Sequence, residues 1–116
     1  MAMRLYRSEK RPLKEPERHL MERLLQQVED NAALKRQLAI AQVREMEDGG
    51  MGSLYFLHPK KTDTERLFGK RIAELQFKDA DGVDILASLN LDTDGDIMEL
   101  DIWKIDYSPT VKLEVP

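Results

Sequence analysis

The feature that most constrains this chain is a run of strict alternation in its C-terminal half. Val83, Ile85, Ala87, Leu89 and Leu91 occupy every second position, the period of a strand with one buried face. A lone strand is not stable, and its neighbours are legible on either side. Ala73, Leu75 and Phe77 alternate with Glu74, Gln76 and Lys78, and Met98, Leu100 and Ile102 alternate with Glu99, Asp101 and Trp103. Between them lie Asp79-Ala80-Asp81-Gly82 and Asp92-Thr93-Asp94-Gly95. Aspartate bonds its own backbone and glycine accepts positive φ, which is what a tight reversal requires. Residues 70–105 therefore read as antiparallel strands.

Upstream the period changes. Leu20, Met21, Leu24, Leu25 and Val28 recur at three- and four-residue steps after Pro16, predicting an amphipathic helix over Pro16–Glu29. Asn31 is placed to cap a short second helix through Gln37. Leu38–Glu47 fits a strand or a continued helix; the strand is preferred because Asp48-Gly49-Gly50 reads as its turn and Leu54–Leu57 as its return. The economical assembly is a single α+β domain over residues 1–116. An N-terminal amphipathic helix packs on a roughly five-stranded antiparallel meander sheet. Residues 1–12 are expected to be extended or poorly ordered, with Leu5 and Tyr6 able to dock on the core. A meander brings the Asp48–Gly52 turn, the Asp79–Gly82 turn and Trp103–Tyr107 to one end of the sheet, and puts Asp92–Gly95 at the other.

A chain of 116 residues buries one modest core. It has no cysteine, so disulfides, thiolate metal sites and cysteine nucleophiles are excluded together, and a reducing compartment fits. No apolar run approaches the length of a membrane span, and the N-terminus is basic without a signal-peptide core, so a cytoplasmic protein is expected, with no membrane partner. The net charge is −4, unevenly spread. Arg4, Arg7, Lys10, Arg11, Lys14 and Arg18 open the chain, whereas Asp79–Asp106 holds nine acids and Lys104 as its only base. That acidic segment repels phosphate, so no nucleic-acid partner is expected. The basic arm reads most simply as solvated or folded against the domain's own acids.

The two Asp-x-Asp-Gly segments resemble calcium loops only superficially. They lack the EF-hand spacing and the closing glutamate, and both lie between strands. Asp48-Gly49-Gly50-Met51-Gly52-Ser53 is glycine-rich enough to form an anion-holding nest, but no P-loop lysine follows. A structural turn is the simpler reading. Asp48, Asp81, Asp101 and Asp106, with Trp103, Lys104 and Tyr107, form a carboxylate-rich corner with some capacity for acid–base or metal chemistry. The simpler account has Asp101 pairing with Lys104 or a neighbouring base, Asp106 capping the terminal loop and Trp103 covering the sheet. His19 and His58 lack a third ligand at metal spacing, Ser53 and Ser88 lack a nucleophile setting, and no cofactor is implied.

Three motifs carry a resemblance. They are Asp48-Gly49-Gly50-Met51-Gly52-Ser53-Leu54, Phe77-x-Asp79-x-Asp81-Gly82-Val83, and Glu99-Leu100-Asp101-Ile102-Trp103-Lys104-x-Asp106-x-Ser108-Pro109. With the helix Leu13–Val28, they make the chain similar to a small bacterial family of uncharacterised proteins. The resemblance supplies no activity. It implies that Gly49, Gly50, Asp81, Trp103, Lys104 and Asp106 matter, for the fold or for more.

Two functions are expected from these observations. The preferred one is a non-enzymatic interaction module that binds an unidentified protein partner or a second copy of itself, as an inhibitor or immunity protein neutralises a basic target. The alternative is a small enzyme or a ligand- or metal-binding domain that uses the corner of Asp48, Asp81, Asp101 and Asp106.

Overall fold

The computed structural model describes residues 5–116; the part of the N-terminal expectation that concerns residues 1–4 lies outside them. The elements in chain order are β1 (Arg11–Pro12), α1 (Glu15–Leu25), α2 (Ala32–Ala39), β2 (Gln42–Glu45), β3 (Leu54–Phe56), β4 (Phe68–Lys78), β5 (Asp84–Asp92) and β6 (Ile97–Lys104). All six strands join one antiparallel sheet in the order β1-β2-β3-β6-β5-β4. The three periodic segments are the three long strands.

Several expectations need correction. The sheet has six strands rather than about five, and its two-residue first strand precedes the helix. It is a meander only over β4–β5–β6. Strand β3 pairs with β6 through Leu54↔Leu100 and Tyr55↔Glu99, so the chain crosses from β3 to the far edge before returning. Alternation determines which face a side chain takes, not which strand lies next to it. The segment 38–47 is split: α2 runs to Ala39 and β2 begins at Gln42. Helix α1 stops at Leu25, short of Glu29, where the chain tightens into turns in which Gln27 N donates to the Leu24 carbonyl and Val28 N to the Leu25 carbonyl, before Asp30 reverses it at φ 52°. Asn31 stands at the N-cap of α2, its carbonyl accepting Lys35 N at 2.9 Å, but its side chain serves α1 instead, Nδ2 donating to the Leu25 carbonyl at 2.8 Å.

Burial follows the two periods. Leu20, Met21, Leu24 and Leu25 of α1 are buried, as are Ala73, Phe77, Ile85, Ala87 and Leu89 of the sheet. Each large side chain removed from water in this way stabilises the fold by about 1.5–3 kcal/mol. Both helices cover the same face. The N-terminal arm does extend and dock: Tyr6 bridges to Met46 and its ring lies 5.7 Å from that of Tyr55, while the Leu5 side chain remains exposed. Arg7 and Arg11 pair with Glu45, and Arg11 also with Glu17, so the basic arm folds against the domain's own acids. No helix among the described residues is long and apolar enough to cross a membrane.

Candidate functional site

Reversing β3–β4 adjacency leaves the strand directions unchanged, so the predicted meeting of turns at one end occurs. Thr110 N donates to the Gly50 carbonyl, Lys104 N to Met51 Sδ, and Lys104 Nζ to the second turn. Asp92–Asp96 stands at the opposite end of the nine-residue β5.

The glycine-rich loop does form a nest, and its anion is internal. Asp48 Oδ1 accepts from Met51 N at 3.1 Å and Gly52 N at 3.4 Å, and Oδ2 from Ser53 N at 2.8 Å. Gly49, Gly50 and Gly52 all have positive φ, which lets successive N–H groups turn toward one carboxylate. Asp48 is thereby drawn into its own loop instead of joining the corner.

Lys104 is fully buried. Its Nζ donates to Asp79 Oδ2 at 2.7 Å, to Asp81 Oδ2, and to the Pro109 carbonyl at 3.2 Å. All three ammonium protons are thus satisfied. Asp101, one expected partner of Lys104, instead lies 3.4 Å from Ser53 Oγ. The residue missed by sequence reasoning is Asp79, which looked like a hairpin aspartate. Its carboxylate also accepts Ala80 N, Val111 N and Lys112 N, which ties the C-terminal tail to the sheet end. Burial alone would raise the Asp79 carboxyl pKa, but the Lys104 ammonium and those backbone donors hold it well below the ordinary carboxylate range.

The second aspartate turn repeats this arrangement at the other end. Lys61 Nζ donates to Asp92 Oδ2 at 2.8 Å and to Asp94 and Asp96 at 3.0 Å. Buried Arg66 donates to Asp92 Oδ2 at 2.9 Å, to the Phe56 and Ile97 carbonyls, and to the Tyr55 hydroxyl. Each segment that resembled a calcium loop therefore coordinates a lysine ammonium of the same chain. Among the described residues, no three His, Cys, Asp or Glu side chains are grouped to hold a metal ion.

The histidines do not meet. His19 bonds the Val115 carbonyl at 3.2 Å, and His58 Nε2 lies 3.0 Å from Asp96 Oδ2. Lys60 N donates to His58 Nδ1, so that nitrogen is unprotonated and Nε2 carries the proton toward Asp96.

What remains open at the corner is aromatic. Trp103 and Tyr107 stand exposed with ring centroids 6.1 Å apart, and Ile105 between them in sequence is also exposed. Tyr107 adopts φ 64°, closing a turn in which its N–H donates to the Lys104 carbonyl. Asp106 accepts both Ser108 N and Oγ, so it caps the terminal loop; these bonds draw its pKa below the ordinary range.

Residues 10–114 match the family described as Domain of unknown function (DUF6984). No curated protein and no solved structure matches the chain.

Proposed function

We propose that this chain, which belongs to the family described as Domain of unknown function (DUF6984), is a small non-catalytic module that captures a basic partner on the aromatic and acidic surface at the end of β6. The observation that carries this reading is Tyr107. A bulky residue at φ 64° is disfavoured by sterics, and at 70% exposure its ring gains little from burial. Apart from the ring contact with Trp103, fold stability gives little reason for tyrosine here, where glycine fits the backbone better. Trp103 beside it adds a second ring, and Asp101 and Asp106, exposed and within two residues of a ring-bearing position in the chain, add negative charge. Exposed aromatic anchors with acids at the rim suit a segment that presents arginine or lysine among apolar side chains. The alternative, chemistry at the acidic corner, has less support, because Asp48, Asp81 and Asp106 each bond an internal partner.

Trp103 is the only tryptophan in the chain, so its emission reads this surface directly. Titration with a peptide of alternating leucine and arginine is expected to shift that emission, with salt weakening the binding. Tyr107→Gly should keep or raise the melting temperature while weakening peptide binding about tenfold. Glu22→Gln, on the exposed side of α1, should leave binding unchanged. Undiminished affinity in Tyr107→Gly, or equal loss in Glu22→Gln, overturns the reading. Dimer formation by the protein alone, abolished by Tyr107→Gly, would replace the basic partner with a second copy.

A further inference from the structure

At the end of the sheet opposite Trp103, a groove of about 390 Å³ opens between the C-terminal end of α2, the end of β3 and the start of β6. Its size is within the range of small-molecule sites. Ile40, Ala41, Phe56, Leu57, Pro59 and Ile97 supply its apolar wall. Ile40 is 74% exposed and Leu57 37%, so apolar surface stands at the mouth with nothing packed on it. The cause is local. Ile40 follows the last residue of α2, and the chain must turn there to enter β2.

The polar lining is selective in what it leaves free. Both polar atoms of the Gln37 amide are engaged, its Nε2 donating to Asp96 Oδ1 at 2.8 Å and its Oε1 accepting Ile97 N at 2.9 Å. Both His58 ring nitrogens are occupied by Asp96 and Lys60 N. Asp96 itself receives Lys61, Gln37 and His58, so its charge is compensated behind the wall. The remaining polar lining groups are Gln42 and Lys10, both exposed, and of the two only Lys10 carries a charge. A hydrophobic slot with one ammonium at its edge selects an apolar body ending in an anion.

We propose that this groove binds a small amphiphilic carboxylate, with its alkyl or aromatic body along Ile40, Phe56 and Ile97 and its carboxylate on Lys10. The site is independent of the aromatic surface at the other end of the sheet, and either stands if the other fails.

The test uses decanoate and decanol, followed by amide chemical shifts of the whole chain. Decanoate is expected to move Lys10, Ile40–Gln42 and Leu57–His58 and to leave Trp103 emission unchanged. Decanol should bind more weakly. Lys10→Ala should weaken decanoate about twofold to fivefold, the worth of one exposed charge pair, without altering decanol binding. Ala41→Phe, which fills the slot, should abolish both. If Ala41→Phe does not fold, the Lys10→Ala comparison decides. No shift with decanoate overturns the site, as do shifts spread evenly through the core. Equal binding of decanoate and decanol, or a Lys10→Ala variant that binds decanoate normally, overturns the assignment of the ligand as an anion.

Discussion

A buried lysine is tolerated only when each ammonium proton finds an acceptor and the charge is matched, and Lys104 meets both conditions through Asp79, Asp81 and Pro109. The pH dependence follows from the directions of the shifts. Asp79 and Asp92 are depressed in the folded chain: burial opposes their ionisation, and the lysine and backbone donors outweigh it. Their contribution is present above the ordinary value of 3.8 and is lost as pH falls below it. Lys61 and Lys104 are raised, with burial opposing and the carboxylates prevailing. Their contribution is complete below 10.5 and is lost as pH rises beyond it. What these pairs add to the melting temperature should therefore be constant between those limits and fall on both sides. Asp79→Asn should lower it at neutral pH and make the acid limb shallower. Thermal melts across pH check this, and an unchanged acid limb would remove Asp79 from the account. None of this pairing was visible in sequence, because Asp79 and Lys104 are 25 positions apart. A turn aspartate and a structural hub have the same letters.

At the scale of elements, the open edge of β4 shows how a short helix protects a long strand. An eleven-residue edge strand presents unpaired N–H and C=O groups to any other chain. Gln27, just beyond α1, lays its amide against that edge. Its Nε2 donates to the Glu74 carbonyl at 2.6 Å and its Oε1 accepts Glu74 N at 3.2 Å, copying a neighbouring strand. Bulges at Phe68/Lys70 and Arg71/Ala73 further interrupt the edge. The first needs a glycine, since a Cβ on Gly69 would overlap the Asp92 carbonyl oxygen. Gln27→Ala should cost about 0.5–1.5 kcal/mol, the worth of partly exposed hydrogen bonds. It should also speed exchange of the Glu74 amide far more than that of neighbours facing β5, as amide hydrogen exchange can show. Uniform acceleration along β4 would mean that Gln27 acts only through global stability. Long periodic elements were legible in sequence; these guards were not. Strand β1 is two residues long and contains Pro12, and the three-residue spacing of Ile40, Val43 and Met46 does not alternate, so it gives β2 no strand period.

For the whole molecule, the decisive fact is that β6, the last strand to be made, lies between β3 and β5. The hairpin β2–β3 and the meander β4–β5–β6 are each local, and they join along β3–β6 with only two paired positions on each strand. Sequence alternation could not reveal this seam. Both strand orders give the same strand directions, the same inward faces and the same cluster of turns. The seam needs reinforcement beyond its short ladder, and Arg66 supplies it from the crossing segment. That guanidinium donates to Phe56 in β3, to Ile97 in β6 and to Asp92 in β5, so one side chain joins both halves of the sheet. Its complete burial makes those bonds costly to lose. Arg66→Leu removes the guanidinium's bonds to two carbonyls and to the Tyr55 hydroxyl, while Lys61 still compensates Asp92. The expected cost is therefore about 3 kcal/mol, at the lower end for a broken buried pair. The distribution of that loss is the sharper prediction. If Arg66 joins two local units, amides of β2 and β3 should exchange by a partial opening that spares β5, where both neighbours are long strands. If instead the sheet opens as one unit, Arg66→Leu will accelerate β3 and β5 equally. The crossing segment would then be a connection that follows the fold and not the clamp that completes it.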